Sequence, residues 1–328
     1  IVYFLNLALA VTLLLSCLAS YISAKTFLPL AFLSLFFPIS FILNIPFILY
    51  WIYRKKKLFL TSLAAVLISY FLFGSFYRFS SSNKPTEEKA LSIMTFNTRD
   101  FNYRGWSKSD STRTEIINFI QDQDPDIVCF QESNRRGMRR LREYPFFYIT
   151  PFTAHKSTQA IFSKYPIVSS GSLEFPDTSN NGLFADIKYK GDTIRIYNLH
   201  LQSFQIIPSR VKTISRATRA YKKMIKAFQL QEQQVQLFEN HRKRSPYRTI
   251  DCADLNNTPF SNVYRIAKGE MKDTFDGKGS GFGKTFDLKI VPFRIDFILV
   301  DKTMEVMTHQ NFDLRLSDHY PVKASIRL

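Results

Sequence analysis

The sequence predicts an α/β protein carried behind a helical membrane anchor. Three observations carry this expectation. Residues 1–78 contain no Asp or Glu, short β-rich runs alternate with helical segments from residue 91 onward, and those runs repeatedly end in polar side chains. At 328 residues the chain has room for both parts.

The anchor comes first. All 27 acidic residues lie beyond residue 78, and of the 44 Lys and Arg only Lys25, Arg54, Lys55, Lys56, Lys57 and Arg78 lie within it. Residues 1–24, before that first lysine, are uncharged and at about 1.5 Å per residue can cross a hydrocarbon core of about 30 Å. Residues 26–53 form a second run, interrupted by Pro29, Pro38 and Pro46, which membrane helices tolerate where neighbours satisfy the freed backbone groups. Residues 58–77 form a third. The RKKK cluster at 54–57 places the loop between the second and third spans in the cytoplasm, and everything after residue 78 outside. A cleaved signal is the competing reading of the first span, because LLLSC at 13–17 loosely resembles a lipoprotein processing site. The chain does not begin with Met, so its natural N-terminus is expected upstream. The expected organisation is an anchor of about three helices over 1–78, a polar linker over 79–89 and a catalytic domain over 90–328.

The remaining 38 basic residues face 27 acidic ones, leaving the polar part a formal charge of +11. Such a surface concentrates anions, whether nucleic acid, phospholipid headgroups or phosphate esters, without choosing among them. Cys17, Cys129 and Cys252 have no CxxC spacing and form no even set, so they point to neither a zinc site nor a disulfide scaffold. Buried thiols are the favoured reading over a Cys129–Cys252 bridge.

From residue 91 the strands follow in order. LSIMTFN ends on Asn97, and DIVCFQES ends on Gln131 and Glu132. In DTIRIYNLHLQS the period of two puts Asn198 and His200 on one face with Ile194 and Ile196. RTIDCADLNNTP does the same for Cys252, Asp254 and Asn256, and FRIDFILVD for Arg294 and Asp296. Between strands, Thr112 and Glu115 predict a capping box, Ile116, Ile117 and Ile120 an apolar stripe, and Asp124-Pro125 a helix stop. Pro208–Arg244 predicts a long helical connection, read as a solvated outer helix in preference to a nucleic-acid or lipid contact. The glycines of DGKGSGFGKTF lack phosphate-loop spacing and predict a mobile surface loop near the site.

Carboxylates and amides gathered at one rim of a sheet suit a hard divalent cation, because Mg²⁺ prefers oxygen ligands. Nearby histidines can move protons or stabilise charge at phosphorus. A phosphodiester repels hydroxide, so its hydrolysis needs charge neutralisation, an aligned water and protonation of the leaving oxygen.

With MTFNTR, FQES, AIFSKYPI, NLHLQS, ADLNNTP, RIDFIL and SDHYPV in order, residues 91–328 resemble the endonuclease/exonuclease/phosphatase superfamily, the fold of deoxyribonuclease I. The spans followed by this domain also look like membrane-bound bacterial members. The resemblance implies a four-layer α-β-β-α sandwich and a Mg²⁺-dependent phosphoesterase, with Mn²⁺ as a substitute ion. It implies Glu132 as the principal metal ligand, Asn97 close to the metal and Asp318 supporting the metal side. Asp254 would orient or deprotonate the attacking water, and Asn256 would help hold the phosphate. His319, oriented by Asp296, would contact the phosphoryl oxygens or act in acid-base catalysis, with His200 facing the scissile phosphate from the opposite side. The expected partners are a phosphate-ester substrate, nucleic acid or phospholipid, and the bilayer itself; no protein partner is inferable. The expected location is the cytoplasmic membrane of a bacterium, with the catalytic domain on the periplasmic or extracellular side.

Three departures from the family pattern bear on this expectation. Ala253 and Leu255 stand where GDFN has Gly and Phe, Asp251 falls where the strand is apolar, and Arg99 stands where abasic-site endonucleases carry Asp. The last argues against that DNA-repair branch. An unpaired buried carboxylate at Asp251 is expensive, so pairing with a nearby Arg is expected. The first two motivate the alternative reading, a catalytically impaired membrane-anchored anion-binding protein of the same fold.

Overall fold

Runs of β-branched and aromatic residues with a period of two pleat into strands, because successive side chains point to opposite faces. The computed structural model describes residues 1–73, 76–79, 90–102, 111–151, 153, 156–206, 213–288 and 291–328, and the expected linker falls outside these except for Phe79. In chain order the strands are β1 (Leu91–Asn97), β2 (Ile127–Ser133), β3 (Phe146–Ile149), β4 (Thr158–Ser163), β5 (Ile167–Ser172), β6 (Gly182–Tyr189), β7 (Asp192–His200), β8 (Arg248–Asp254), β9 (Lys272–Asp273), β10 (Asp296–Val300), β11 (Glu305–Asn311) and β12 (Val322–Arg327). The helices are α1 (Val2–Leu18), α2 (Leu28–Tyr53), α3 (Phe59–Phe73), α4 (Thr112–Gln123), α5 (Arg135–Met138), α6 (Ile214–Arg242), α7 (Asn262–Lys268) and α8 (Thr274–Lys278).

Two six-stranded sheets result, in the orders β11-β12-β1-β2-β4-β3 and β5-β6-β7-β8-β10-β9. Each contains one parallel pair, β1 with β2 and β7 with β8, so both are mixed. Their inner faces meet in a core that includes Ile93, Cys129, Ile196, Cys252 and Ile298. Outside the first sheet, Phe96 and Phe130 pack on Ile116, Ile117 and Ile120 of α4. Outside the second, Tyr197, Ala253 and Leu299 meet Val235 and Phe238 of α6 and Val263 of α7. The layers therefore run α-β-β-α, and each fully buried Ile or Phe contributes about 1.5–3 kcal/mol to holding them together.

Local details differ from expectation. α4 begins at Thr112, but its side-chain pairing is between the Ser111 hydroxyl, one residue earlier, and the Glu115 carboxylate, in place of a Thr112 capping box. Asp124, in the left-handed region at φ 41°, ends the helix before Pro125. The predicted solvated helix is solvated only in its first half: in α6, Phe228, Leu230, Gln231, Gln234, Val235 and Phe238 are buried. The glycine loop is held by paired backbone hydrogen bonds between Arg78 and Gly281, at 2.9 and 2.8 Å. The three cysteines are free and buried.

The N-terminal helices invert the usual polarity. Phe4, Leu5, Leu49, Ile52, Phe71 and Leu72 face outward, while Asn6, Asn44, Ser62 and Ser69 are buried. Inside, Trp51 Nε1 donates to Asn6 Oδ1 at 2.8 Å, Asn6 donates to Ser62 Oγ, and Ser62 donates to Asn44 Oδ1 at 2.7 Å. By length and composition α2, with 26 residues that include an 18-residue stretch of mean hydropathy 2.2, can cross a bilayer; α1 and α3 are shorter, at 17 and 15 residues. Thus one of the three runs expected to span reaches that length among the described residues. Pro38 and Pro46 lie inside α2. The bundle docks on the sandwich where Phe37 stacks on Phe260 with ring centroids 3.8 Å apart, and where Thr258 Oγ1 donates to the Ser34 carbonyl at 3.1 Å.

Candidate active site

Strand register brings distant residues to one rim. His200 pairs with Asp254 across β7 and β8, and Asp254 pairs with Asp296 across β8 and β10, so the three form a row at one end of the inner face. The next inner row, in register beneath them, is Asn198, Cys252 and Ile298. From the facing sheet, Asn97 at the end of β1 donates Nδ2 to Asp254 Oδ2 at 2.9 Å.

Glu132 reaches the same rim by a different route. Strict alternation would place it on the outer face with Val128 and Phe130. A register shift between Phe130 and Ser133 and a φ of 42° at Glu132 interrupt that alternation. Bulges re-aim side chains, and a positive φ at a non-glycine residue costs about 1–3 kcal/mol, which the surrounding sheet must offset. The Glu132 side chain is 38% exposed, and its Oε1 lies 3.5 Å from His200 Nε2.

His319 completes the cluster from the loop before β12. Its Nδ1 lies 3.0 and 3.2 Å from the two Asp296 oxygens, and its Nε2 3.8 Å from Asp254 Oδ2. Burial works against a charge on this ring, but the carboxylates of Asp296 and Asp254 outweigh it and push the pKa up to about 10. Burial also raises Asp296, to about 6, with the His319 charge opposing the rise. At neutral pH the pair is therefore an imidazolium beside a carboxylate. His200 is different: both ring nitrogens are buried without a hydrogen bond among the described residues, and Nε2 stands 3.5 Å from both Glu132 and Asp254.

The other two expected residues lie at the edge. Asp318 pairs with Arg99 and accepts the Ser317 hydroxyl at 3.2 Å. Asn256 has a φ of 48°; it donates its side-chain amide to the Leu201 carbonyl at 3.0 Å and its backbone N–H to Asp254 Oδ1 at 2.9 Å. Asp254 is thus held from two sides.

Asp254, Asp296 and His319 each place a ligand-type atom within 4.8 Å of the others. With His319 protonated and so unable to ligate, the carboxylates of Asp254, Asp296 and Glu132 and the Asn97 amide at the same rim leave a set of oxygen donors, as a hard divalent cation requires. The half-exposed Glu132 and the unbonded His200 nitrogens are groups whose polar valences a cation and its waters would complete. The residues fit such an ion.

Of the departures from the family pattern, Asp251, Ala253 and Leu255 fall away from this rim, whereas Arg99 lies at its edge, paired with Asp318. Asp251 lies on the opposite face of β8, where Arg242 Nη1 meets its Oδ2 at 2.6 Å, the expected pairing with an Arg. Ala253 is absent from the positive-φ residues and is buried among apolar neighbours, so its methyl meets no backbone strain.

Sequence reading missed three supports. The Thr285 hydroxyl accepts the N–H of Ile295 at 2.9 Å and of Asp296 at 3.0 Å, fixing the start of β10. Gln131 Nε2 donates to Asn198 Oδ1 at 2.7 Å, tying the two sheets below the site. Gln231 Nε2 donates to the Asn256 carbonyl at 3.2 Å. Gln131 and Asn198 were visible as polar residues at inner strand positions. Nothing in the sequence marked Thr285.

Comparison with known proteins follows the same division of the chain. The family model described as Endonuclease/Exonuclease/phosphatase family matches residues 94–319, and one described as a domain of unknown function (DUF8431) matches residues 1–76. No protein of curated function matches by sequence. Among solved structures, an endonuclease/exonuclease/phosphatase from Bacteroides vulgatus is 20% identical with a TM-score of 0.57, covering 74% of this chain and 100% of its own. D. rerio TDP2 complexed with a single-strand DNA product is 16% identical with a TM-score of 0.55, covering 74% and 100%. The mannosyl-6-phosphatase Bt3783 of Bacteroides thetaiotaomicron is 19% identical with a TM-score of 0.50, covering 73% and 100%. At these identities the likeness is one of fold.

Proposed function

This chain belongs to the endonuclease/exonuclease/phosphatase family, a family of phosphoester hydrolases, and from that premise we propose that residues 90–328 form a Mg²⁺-dependent phosphoesterase held at the outer face of a bacterial cytoplasmic membrane. The observation that carries the proposal is the register row His200–Asp254–Asp296, closed by His319 and faced by Asn97 and Glu132. Glu132 and Asn97 would hold the ion, with Asp318 supporting that side while paired to Arg99. When bound, the ion neutralises phosphate charge.

The chain's own residues supply the rest. Asp254, kept in orientation by Asn97 and the Asn256 N–H, aligns the attacking water and accepts its proton. His319, held protonated by Asp296, donates from Nε2 to the phosphoryl or leaving oxygen. His200 faces the phosphate from the Glu132 side. Asn256 borders the phosphate through the backbone turn that its left-handed φ creates.

The membrane tether is supported by the polarity of α1–α3, where Phe4, Leu5, Leu49, Ile52, Phe71 and Leu72 face outward and an Asn-Ser-Trp chain lies in the interior beside Leu13 and Phe37. A soluble helical core buries its apolar side chains, whereas helices in lipid are joined by small and polar residues. The length of α2 and the RKKK cluster that follows it support a cytoplasmic 54–57 loop and an external catalytic domain.

The substrate class is a phosphate ester near the membrane. The D. rerio relative is solved with a single-strand DNA product and the B. thetaiotaomicron one is named a mannosyl-6-phosphatase. Diesters and monoesters therefore both belong on the panel. The test uses the full chain in detergent micelles. It should hydrolyse bis-(p-nitrophenyl) phosphate with Mg²⁺ or Mn²⁺, stop with chelator, and lose turnover on Glu132→Ala. Plasmid DNA, sphingomyelin vesicles and phosphomonoesters then rank the substrates, and nuclease action should fall steeply with salt. Anion binding without metal-dependent turnover on any of these esters would establish the impaired, anion-binding alternative.

A further inference from the structure

α6 is a helix of two halves. Its C-terminal half is built into the sandwich, but residues 213–219 and 221–223 are exposed, including Ile214 at 88% and Tyr221 at 51%. A stretch of this length standing alone in water is a marginal helix, so it needs a surface. Its sequence says what kind. Ile214, Ala217, Tyr221, Met224 and Phe228 recur every three or four residues on one face, and Arg216, Arg219, Lys223 and Lys226 recur the same way on the opposite face. No acidic residue occurs between Asp192 and Glu232.

The apolar stripe runs into the N-terminal bundle. Tyr221 stacks on Phe32 of α2 with ring centroids 5.3 Å apart and planes 17° apart, and Phe228 meets the same ring edge-on at 5.3 Å. Phe32 can be placed by arithmetic. The 26 residues of α2 span about 39 Å against a hydrocarbon core of about 30 Å. With Tyr53 and the RKKK cluster at the cytoplasmic boundary, an excess of about six residues puts Leu28–Leu33 in the outer headgroup layer. Phe32, and the helix stacked on it, lie at that level.

Resting on the membrane reading of α1–α3, we propose that Ile214–Lys226 is an interfacial helix that lies on the same bilayer. Ile214, Ala217 and Tyr221 face the acyl boundary, and Arg216, Arg219, Lys223 and Lys226 are held by anionic phospholipid headgroups. Because Gln231 of the same helix holds the loop after Asp254, this contact orients the rim over the bilayer.

The test is a spin label at Ile214→Cys in the full chain reconstituted into nanodiscs of phosphatidylcholine alone or mixed with phosphatidylglycerol; the native cysteines are buried. In phosphatidylglycerol discs the label should become accessible to oxygen and lose access to a water-soluble nickel relaxant. A second label at Lys222→Cys should keep nickel access. Reversing Arg216, Arg219, Lys223 and Lys226 to Glu should restore nickel access at 214, with each positive charge lost weakening the contact at least about fivefold. A 214 label that stays nickel-accessible in every disc overturns the interfacial helix. Protection by an added oligonucleotide without protection by lipid overturns it in favour of nucleic acid. If the chain fails to incorporate into the discs and is extracted by alkaline carbonate, it is the membrane reading itself that fails.

Discussion

Asp254 and Asp296 stand opposite each other across the antiparallel β8–β10 pair, and His319 reaches both, with Nδ1 3.0 Å from Asp296 and Nε2 3.8 Å from Asp254. Like charges directly opposite in a sheet repel, so the protonated imidazole offsets a cost built into the site. His319→Ala should therefore lower stability by about 3–5 kcal/mol, the cost of breaking a buried pair from one side. Adding Asp296→Asn should recover part of that stability and none of the turnover. Unfolding midpoints of the single and double variants check this. Equal midpoints would mean the imidazole does not offset the repulsion.

Glu132 should behave in the opposite way. Its side chain is 38% exposed and its Oε1 lies 3.5 Å from His200 Nε2. Glu132→Gln should leave stability within about 0.5 kcal/mol, as surface substitutions do. Turnover should fall about a hundredfold to a thousandfold, the scale expected for losing electrostatic stabilisation at a developing charge. Retention of a tenth of the wild-type rate would remove Glu132 from the metal site.

Metal binding should be visible without catalysis. Mg²⁺ at about one hundred times its Kd should stabilise the folded chain by about 2.7 kcal/mol, and chelator should remove that gain. Glu132→Gln should lose it. Isothermal titration of the chelated protein measures the same equilibrium directly.

Asp251 predicts a pH dependence of stability unrelated to catalysis. Burial raises its pKa to about 6 from 3.8, although Arg242 pulls it down. A folded-state pKa above the unfolded one means the native state binds the extra proton between these values. The stabilisation is complete below about pH 4 and lost as pH rises through about 6, a change of roughly 3 kcal/mol. Asp251→Asn should flatten that part of the stability profile. A profile identical to wild type between pH 4 and 6 would show that Arg242 cancels the effect of burial.

Much of the site was legible because strand periodicity is local. A period of two places His200 with Ile196 and Asp254 with Cys252 on a single face, whatever the strands pair with, and the structure puts those faces inward. The absence of acids over residues 1–78 likewise marked the apolar helices, since composition needs no partner to be read. Helix lengths were less legible: turns and prolines do not state where α1 and α3 stop.

Only the tertiary structure decided what depends on partners far along the chain. Register between β7, β8 and β10 is set by packing across the whole sandwich, and it alone makes a row of His200, Asp254 and Asp296. Glu132 comes to that rim through a bulge and a left-handed φ that a pattern of alternation would deny. Asp251 looked out of place until Arg242, on a helix folded against the other face, supplied its counter-charge. Local sequence determines which way a side chain points along its own strand; which side chains it meets there is determined by long-range packing, because those neighbours are brought together by the fold and not by the chain.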